Sequence, residues 1–139
     1  MIMNSDPISK EKTEKRCCID LGSSYFRSLV VTLAAGLDGT HPLDAVQERI
    51  YTGWGEDVAC SGAISEEAGE RAAGIFKELS GRAAESGASR ITAVATNALR
   101  AASNRKAIKD LLEKRAGSRV DILSARGEAF LGFAGATSD

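Results

Sequence analysis

Apolar positions fall into short unbroken runs in the first half of the chain and into helical spacing in the second. Residues 17–22 read as a buried strand, and residues 26–34, with Leu29, Val30, Val31 and Leu33, read as another. The short turn between them predicts antiparallel pairing. A turn signal at Leu37–Thr40 precedes a weaker third strand over residues 44–52, with Val46 and Ile50 on one face. Residues 53–62 read as a loop. Ser65 is positioned to cap a helix whose first turn carries Glu66 and Glu67 at the positive end of its dipole. Ala72, Ile75, Phe76, Leu79 and Ala83 follow helical spacing and should face the core. Gly69, Gly74 and Gly81 weaken that helix unless close packing requires them, with Gly74 or Gly81 the candidates for a close approach.

Residues 90–96 form an almost wholly apolar run, as expected of a strand inside a parallel sheet. A helical turn over 97–102 follows. Ser103 or Asn104 can cap the next helix, which turns Ile108, Leu111 and Leu112 inward and stops at Gly117. Residues 119–123 read as the fifth strand, and a last helix is expected around Glu128 to Ala134.

With 139 residues the chain is one ordinary domain, and 43% hydrophobic with 27% charged residues is a globular composition. A formal net charge of -1 excludes a strong global field for nucleic acid or acidic membrane, so any anion site must be local. Aromatic residues, at 5%, argue against a base-stacking surface. Cys17, Cys18 and Cys60 fit neither a disulfide framework nor a zinc pattern and read as buried thiols of a reducing compartment, with Cys17 and Cys18 on opposite faces of a strand. His41, the single histidine, reads as an exposed loop residue. Residues 1–16 are polar, lack a signal-peptide core, and are expected to form a tail ahead of a folded domain over residues 17–139. No run is long enough to span a bilayer, and the expected location is the cytoplasm.

The candidate chemistry lies in Asp20-Leu21-Gly22-Ser23-Ser24. Glycine permits a tight bend and close approach to a ligand. Successive N–H groups in such a turn make an anion nest, and an adjacent carboxylate can hold a divalent cation. A plain hairpin is the commoner meaning of such a turn.

The element order resembles the ribonuclease-H-like half-domain of the actin-type ATPase superfamily. This implies an α/β fold with a five-stranded mixed sheet and helices on its faces. More specifically, residues 19–27, Gly62-Ala63-Ile64-Ser65-Glu66-Glu67-Ala68 with Arg71, Ala93-Val94-Ala95-Thr96-Asn97-Ala98-Leu99-Arg100, and Ile122 to Ala129 resemble, in order and spacing, the N-terminal domain of the exopolyphosphatase and guanosine-pentaphosphate phosphohydrolase family. The resemblance implies hydrolysis of terminal phosphate from polyphosphate or guanosine pentaphosphate with Mg2+. It assigns Gly22, Ser23, Ser24 and Arg100 to phosphate, Asp20 to the metal, and Glu128 to activation of water. It also implies a second actin-like half as partner, without which the chain should be inactive, and a homodimer is a further expectation. The alternative is a non-catalytic phosphate-sensing or partner-binding module on the same fold. The chain departs from the family pattern at Ser24 and Tyr25, where Asn and a small hydroxyl residue are usual, and at Ala125 and Gly127 around the glutamate. Trp54, in the loop over residues 53–62, is expected to pack rather than to bind substrate.

Overall fold

The computed structural model describes residues 12–36 and 39–137. Three strands, β1 (Thr13–Leu21), β2 (Tyr25–Gly36) and β3 (Gly39–Tyr51), form an antiparallel meander. Helices α1 (Trp54–Ser61) and α2 (Glu66–Glu85) lead to β4 (Ala88–Ala95), and α3 (Asn97–Ala101) and α4 (Arg105–Ala116) lead to β5 (Val120–Ile122). Helix α5 (Ala125–Thr137) follows. The five-stranded sheet has the order β3-β2-β1-β4-β5, with β4 parallel to both β1 and β5. This is the expected mixed α/β sheet.

One sheet face makes the core. Ile19, Leu21, Phe26, Ala95 and Val120 are fully buried there beneath Phe76 and Leu79 of α2 and Leu112 of α4. Ser65 Oγ accepts from the Ala68 amide at 3.2 Å, as a cap should, and Gly117 ends α4 in the left-handed region with φ 66°. Burying Phe76 and Leu79 stabilises by roughly 1.5–3 kcal/mol each relative to exposure.

Several local expectations are corrected. Strand β1 begins at Thr13, ahead of the boundary expected at Cys17; residues 1–11 of the proposed tail lie outside the described residues, as do Leu37 and Asp38 of the expected turn. Residues 53–62 are not a loop but contain α1. This helix is fixed by burial: Trp54 is 0% exposed, meets Phe26 edge to face at 4.9 Å, and donates Nε1–H to the Gly22 carbonyl at 2.8 Å. Gly74 and Gly81 have open space around them, whereas Gly69 is the close approach, since an added Cβ would lie 2.9 Å from Ile108 Cδ1. Asn104 precedes α4 without capping it; its side chain instead clamps Ile64, accepting from the amide at 3.1 Å and donating to the carbonyl at 2.7 Å. Of the three cysteines only Cys17 is buried; its neighbour Cys18 points to the other face of β1 by strand alternation, and Cys60, in α1, is exposed as well. His41 is exposed but lies in β3, paired with Ala34. No helix among the described residues is long and apolar enough to cross a membrane.

Candidate functional site

The parallel strands β1, β4 and β5 end side by side, and the candidate residues come from those ends. Open α/β sheets leave a crevice for ligands beyond the carboxyl ends of their parallel strands. Asp20 is the penultimate residue of β1. Arg100 lies in α3 directly after β4, and Glu128 lies in the first turn of α5 after β5.

The turn between β1 and β2 closes through the Gly22 amide, which donates to the Tyr25 carbonyl at 3.1 Å. Only glycine fits there, because an added Cβ would stand 2.8 Å from that same carbonyl oxygen. The turn is braced from the start of α1 and the two residues leading into it. The Thr52 and Gly53 amides donate to the Ser24 carbonyl at 2.8 and 3.2 Å, and the Gly55 amide donates to the Ser23 carbonyl at 2.9 Å. Gly55 must also lack a side chain, since its Cβ would fall 2.7 Å from Ser23 Cβ. With their carbonyls held, the amides and hydroxyls of Ser23 and Ser24 remain without protein partners among the described residues. Free donors on a braced turn are what an anion nest requires.

Asp20 presents one carboxylate oxygen, Oδ1, that is buried and has no hydrogen-bond partner. Its Oδ2 faces Arg27 Nη1 at 3.7 Å. Burial pushes the Asp20 carboxyl above its ordinary value, Arg27 pulls it partly back, and the charge of Glu128 adds to the upward push. Glu128 is therefore close enough to Asp20 for their charges to interact. A buried, unpartnered acceptor of this kind fits a hard cation. No cluster of three or more Asp, Glu, His or Cys gathers among the described residues, so a cation on Asp20 would keep several waters, as small hard cations usually do.

Arg100 and Glu128, 28 residues apart in the chain, meet with Arg100 Nη1 donating to Glu128 Oε2 at 3.0 Å. The same nitrogen donates to the Leu123 carbonyl at 2.8 Å. Glu128 is set by α5, whose start is capped by Ser124: its Oγ accepts from the Gly127 amide at 3.0 Å. The sequence reading missed Arg27 as a member of this group. Its position opposite Asp20 in the β1–β2 register was available only once the pairing was known.

The sheet order and the braced hairpin turn define one half of an actin-like, ribonuclease-H-like ATPase fold. The profile of the Ppx/GppA phosphatase family matches residues 38–139, and the chain belongs to that family. Among curated proteins none matches the chain. Solved structures do. An exopolyphosphatase-like protein is 30% identical with a TM-score of 0.76, over 92% of this chain and 38% of its own. An exopolyphosphatase from Cytophaga hutchinsonii ATCC 33406 is 28% identical with a TM-score of 0.73, over 85% of this chain and 36% of its own. The Ppx/GppA family member of Aquifex aeolicus, 24% identical with a TM-score of 0.74 over 88% of this chain and 40% of its own, shares the fold. The chain thus spans about two-fifths of the length of these relatives.

Proposed function

We infer that this chain is the phosphate-gripping half of a phosphoanhydride hydrolase acting on the terminal phosphate of polyphosphate or guanosine pentaphosphate. The observation that carries this reading is the convergence of the free Ser23 and Ser24 amides, the orphaned Asp20 Oδ1 and the Arg100–Glu128 pair at one end of the sheet. The turn takes phosphate oxygens through the Ser23 and Ser24 amides, while the Gly22 amide, spent on the Tyr25 carbonyl, shapes the turn rather than binding. Arg100, with its rigid fork of donors, suits a second set of phosphate oxygens. Asp20 is the residue that would hold Mg2+, and bound there the cation would neutralise phosphate charge. Phosphate entering the site competes with Glu128 for Arg100. Once displaced, Glu128 is a carboxylate at the crevice, able to accept a hydrogen bond from water and orient it toward phosphorus. Catalysis of this kind is largely positioning and charge neutralisation. The relatives are more than twice as long, so the remaining donors of a complete cleft would come from a second actin-like half.

Titration of the chain with pyrophosphate and Mg2+, followed by amide chemical shifts, tests the site. Movement concentrated at residues 20–24 supports it. Shifts gathered elsewhere would sink it.

A further inference from the structure

The sheet face opposite the core carries, beside Asp20 and Arg27 of the phosphate site, side chains that the phosphate reading leaves unused: Tyr25, Arg49 and Tyr51. Asp20, Arg27 and Arg49 are successive cross-strand partners on β1, β2 and β3, and Tyr25 pairs with Tyr51 in the next rung toward the turn. Alternation places all of them away from the core, because their neighbours Leu21 and Phe26 are buried in it and Ile50 packs against it. The tyrosine rings meet edge to face, with centroids 5.4 Å apart and planes at 72°. The Arg49 guanidinium lies over the Tyr25 ring, 4.9 Å from its centre. The Tyr51 hydroxyl donates to Glu56 Oε1 at 2.6 Å. Gly53, at φ 66°, closes against the same ring, and an added Cβ would lie 3.0 Å from Tyr51 Cζ. Tyr51 is thus held by Tyr25, Glu56 and Gly53, yet it is 54% exposed. A ring already fixed in place loses little side-chain freedom when a flat ligand settles on it. The next residue, Thr52, is the one whose amide braces Ser24, so the ring adjoins the phosphate turn.

We propose that Tyr51, buttressed by Tyr25, Gly53 and Glu56 and flanked by Arg49, is a stacking shelf for the base of a nucleotide whose phosphates lie on the Gly22–Ser24 turn. The proposal rests on the phosphate-site reading above and directs it toward nucleotide rather than inorganic polyphosphate. Aromatic content was low enough to argue against such a surface, but the fold brings both tyrosines of the chain to this one place. Tyr25 is also one of the positions where the chain departs from the family pattern. Stacking on an aromatic face is tolerant of base identity, so the shelf selects a base over none rather than one base over another.

Calorimetric titration of the chain, in Mg2+, with tripolyphosphate and with guanosine triphosphate tests this, since the two share a triphosphate chain. The nucleotide should bind more tightly by about 5- to 140-fold, the equivalent of roughly 1–3 kcal/mol of stacking. Tyr51→Ala should erase that advantage and leave tripolyphosphate binding unchanged. Tyr51→Phe, which keeps the ring and loses only the bond to Glu56, should retain most of it. Equal binding of the two ligands by the native chain, or an advantage that survives Tyr51→Ala, overturns the shelf while leaving the phosphate turn standing. If neither ligand binds and the Ser23 and Ser24 amides do not move, the phosphate reading itself falls, and the shelf with it.

Discussion

Asp20 keeps Oδ1 buried without a donor, and burial raises its carboxyl above the ordinary value. The folded chain therefore holds this proton more tightly than the unfolded chain, whose Asp titrates near about 3.9. The contribution to stability is fully present below that value and is lost as pH rises through the raised folded one. At neutral pH the ionised side chain is a cost, reduced by solvent because the group is partly exposed. Asp20→Asn should accordingly raise the urea midpoint at pH 7 and give no advantage near pH 3; an equal gain at both pH values would place the effect elsewhere. The same substitution should abolish any stabilisation of the chain by Mg2+. Glu128 carries a different expectation, because it already occupies Arg100. Glu128→Gln weakens that pairing and frees Arg100 for anions, so pyrophosphate should bind the variant at least as tightly as the native chain. In a protein containing both halves, turnover should fall by roughly 10²–10⁴-fold, the usual contribution of a positioned general base. Native turnover in the variant would remove Glu128 from the chemistry.

Helix α1 matters more than its 8 residues suggest, because the Gly55 amide in its first turn holds the Ser23 carbonyl and the Thr52 and Gly53 amides just ahead of it hold the Ser24 carbonyl. Trp54 anchors it, and Trp54→Ala should destabilise the fold by about 3–5 kcal/mol, the cost of emptying a large buried aromatic site. Chemical denaturation reads the loss, and broadening of the Ser23 and Ser24 amide signals should accompany it. A change of less than 1 kcal/mol, taken as roughly a surface-substitution effect, would show that the indole is not the anchor. Helix α5 is the opposite case. None of its described residues is buried, and Phe130 and Phe133 are each 69% exposed. With little packing to protect it, α5 should exchange its amide hydrogens far faster than α2, whose inner face is buried along its length. Equal protection of the two helices in native-state exchange would contradict this.

At the scale of the molecule, the site is electrostatically balanced before any substrate arrives. Arg27 faces Asp20 and Arg100 faces Glu128, so each cation has a carboxylate beside it. Neutralising a transferring phosphoryl group takes positive charge in excess of this, aimed at the developing oxyanions. The chain by itself should therefore bind phosphate weakly and hydrolyse polyphosphate far more slowly than roughly 1 per second. A phosphate-release assay on the purified 139-residue chain checks this, and turnover at an ordinary enzymatic rate would mean that its own residues suffice.

Local chemistry determined much of this protein. The period of apolar residues gave the inner face of α2, Ser65 capped it, Gly117 ended α4, and the apolar run before Thr96 became the strand between two parallel neighbours. The Gly22 turn and, α1 apart, the order of strands and helices along the chain were legible for the same reason: each depends on residues adjacent in sequence. What the tertiary structure decided depends on residues far apart. A glycine-flanked segment at 53–62 has weak helical preference, and it is helical because Trp54 finds a pocket and the turn carbonyls accept its amides. Asn104 has the right type for a cap, but the unpaired Ile64 backbone, 40 residues away, competes for its side chain and wins. The Asp20–Arg27 and Arg100–Glu128 pairs and the meeting of Tyr25 with Tyr51 follow from strand register and sheet order, and no local pattern encodes either.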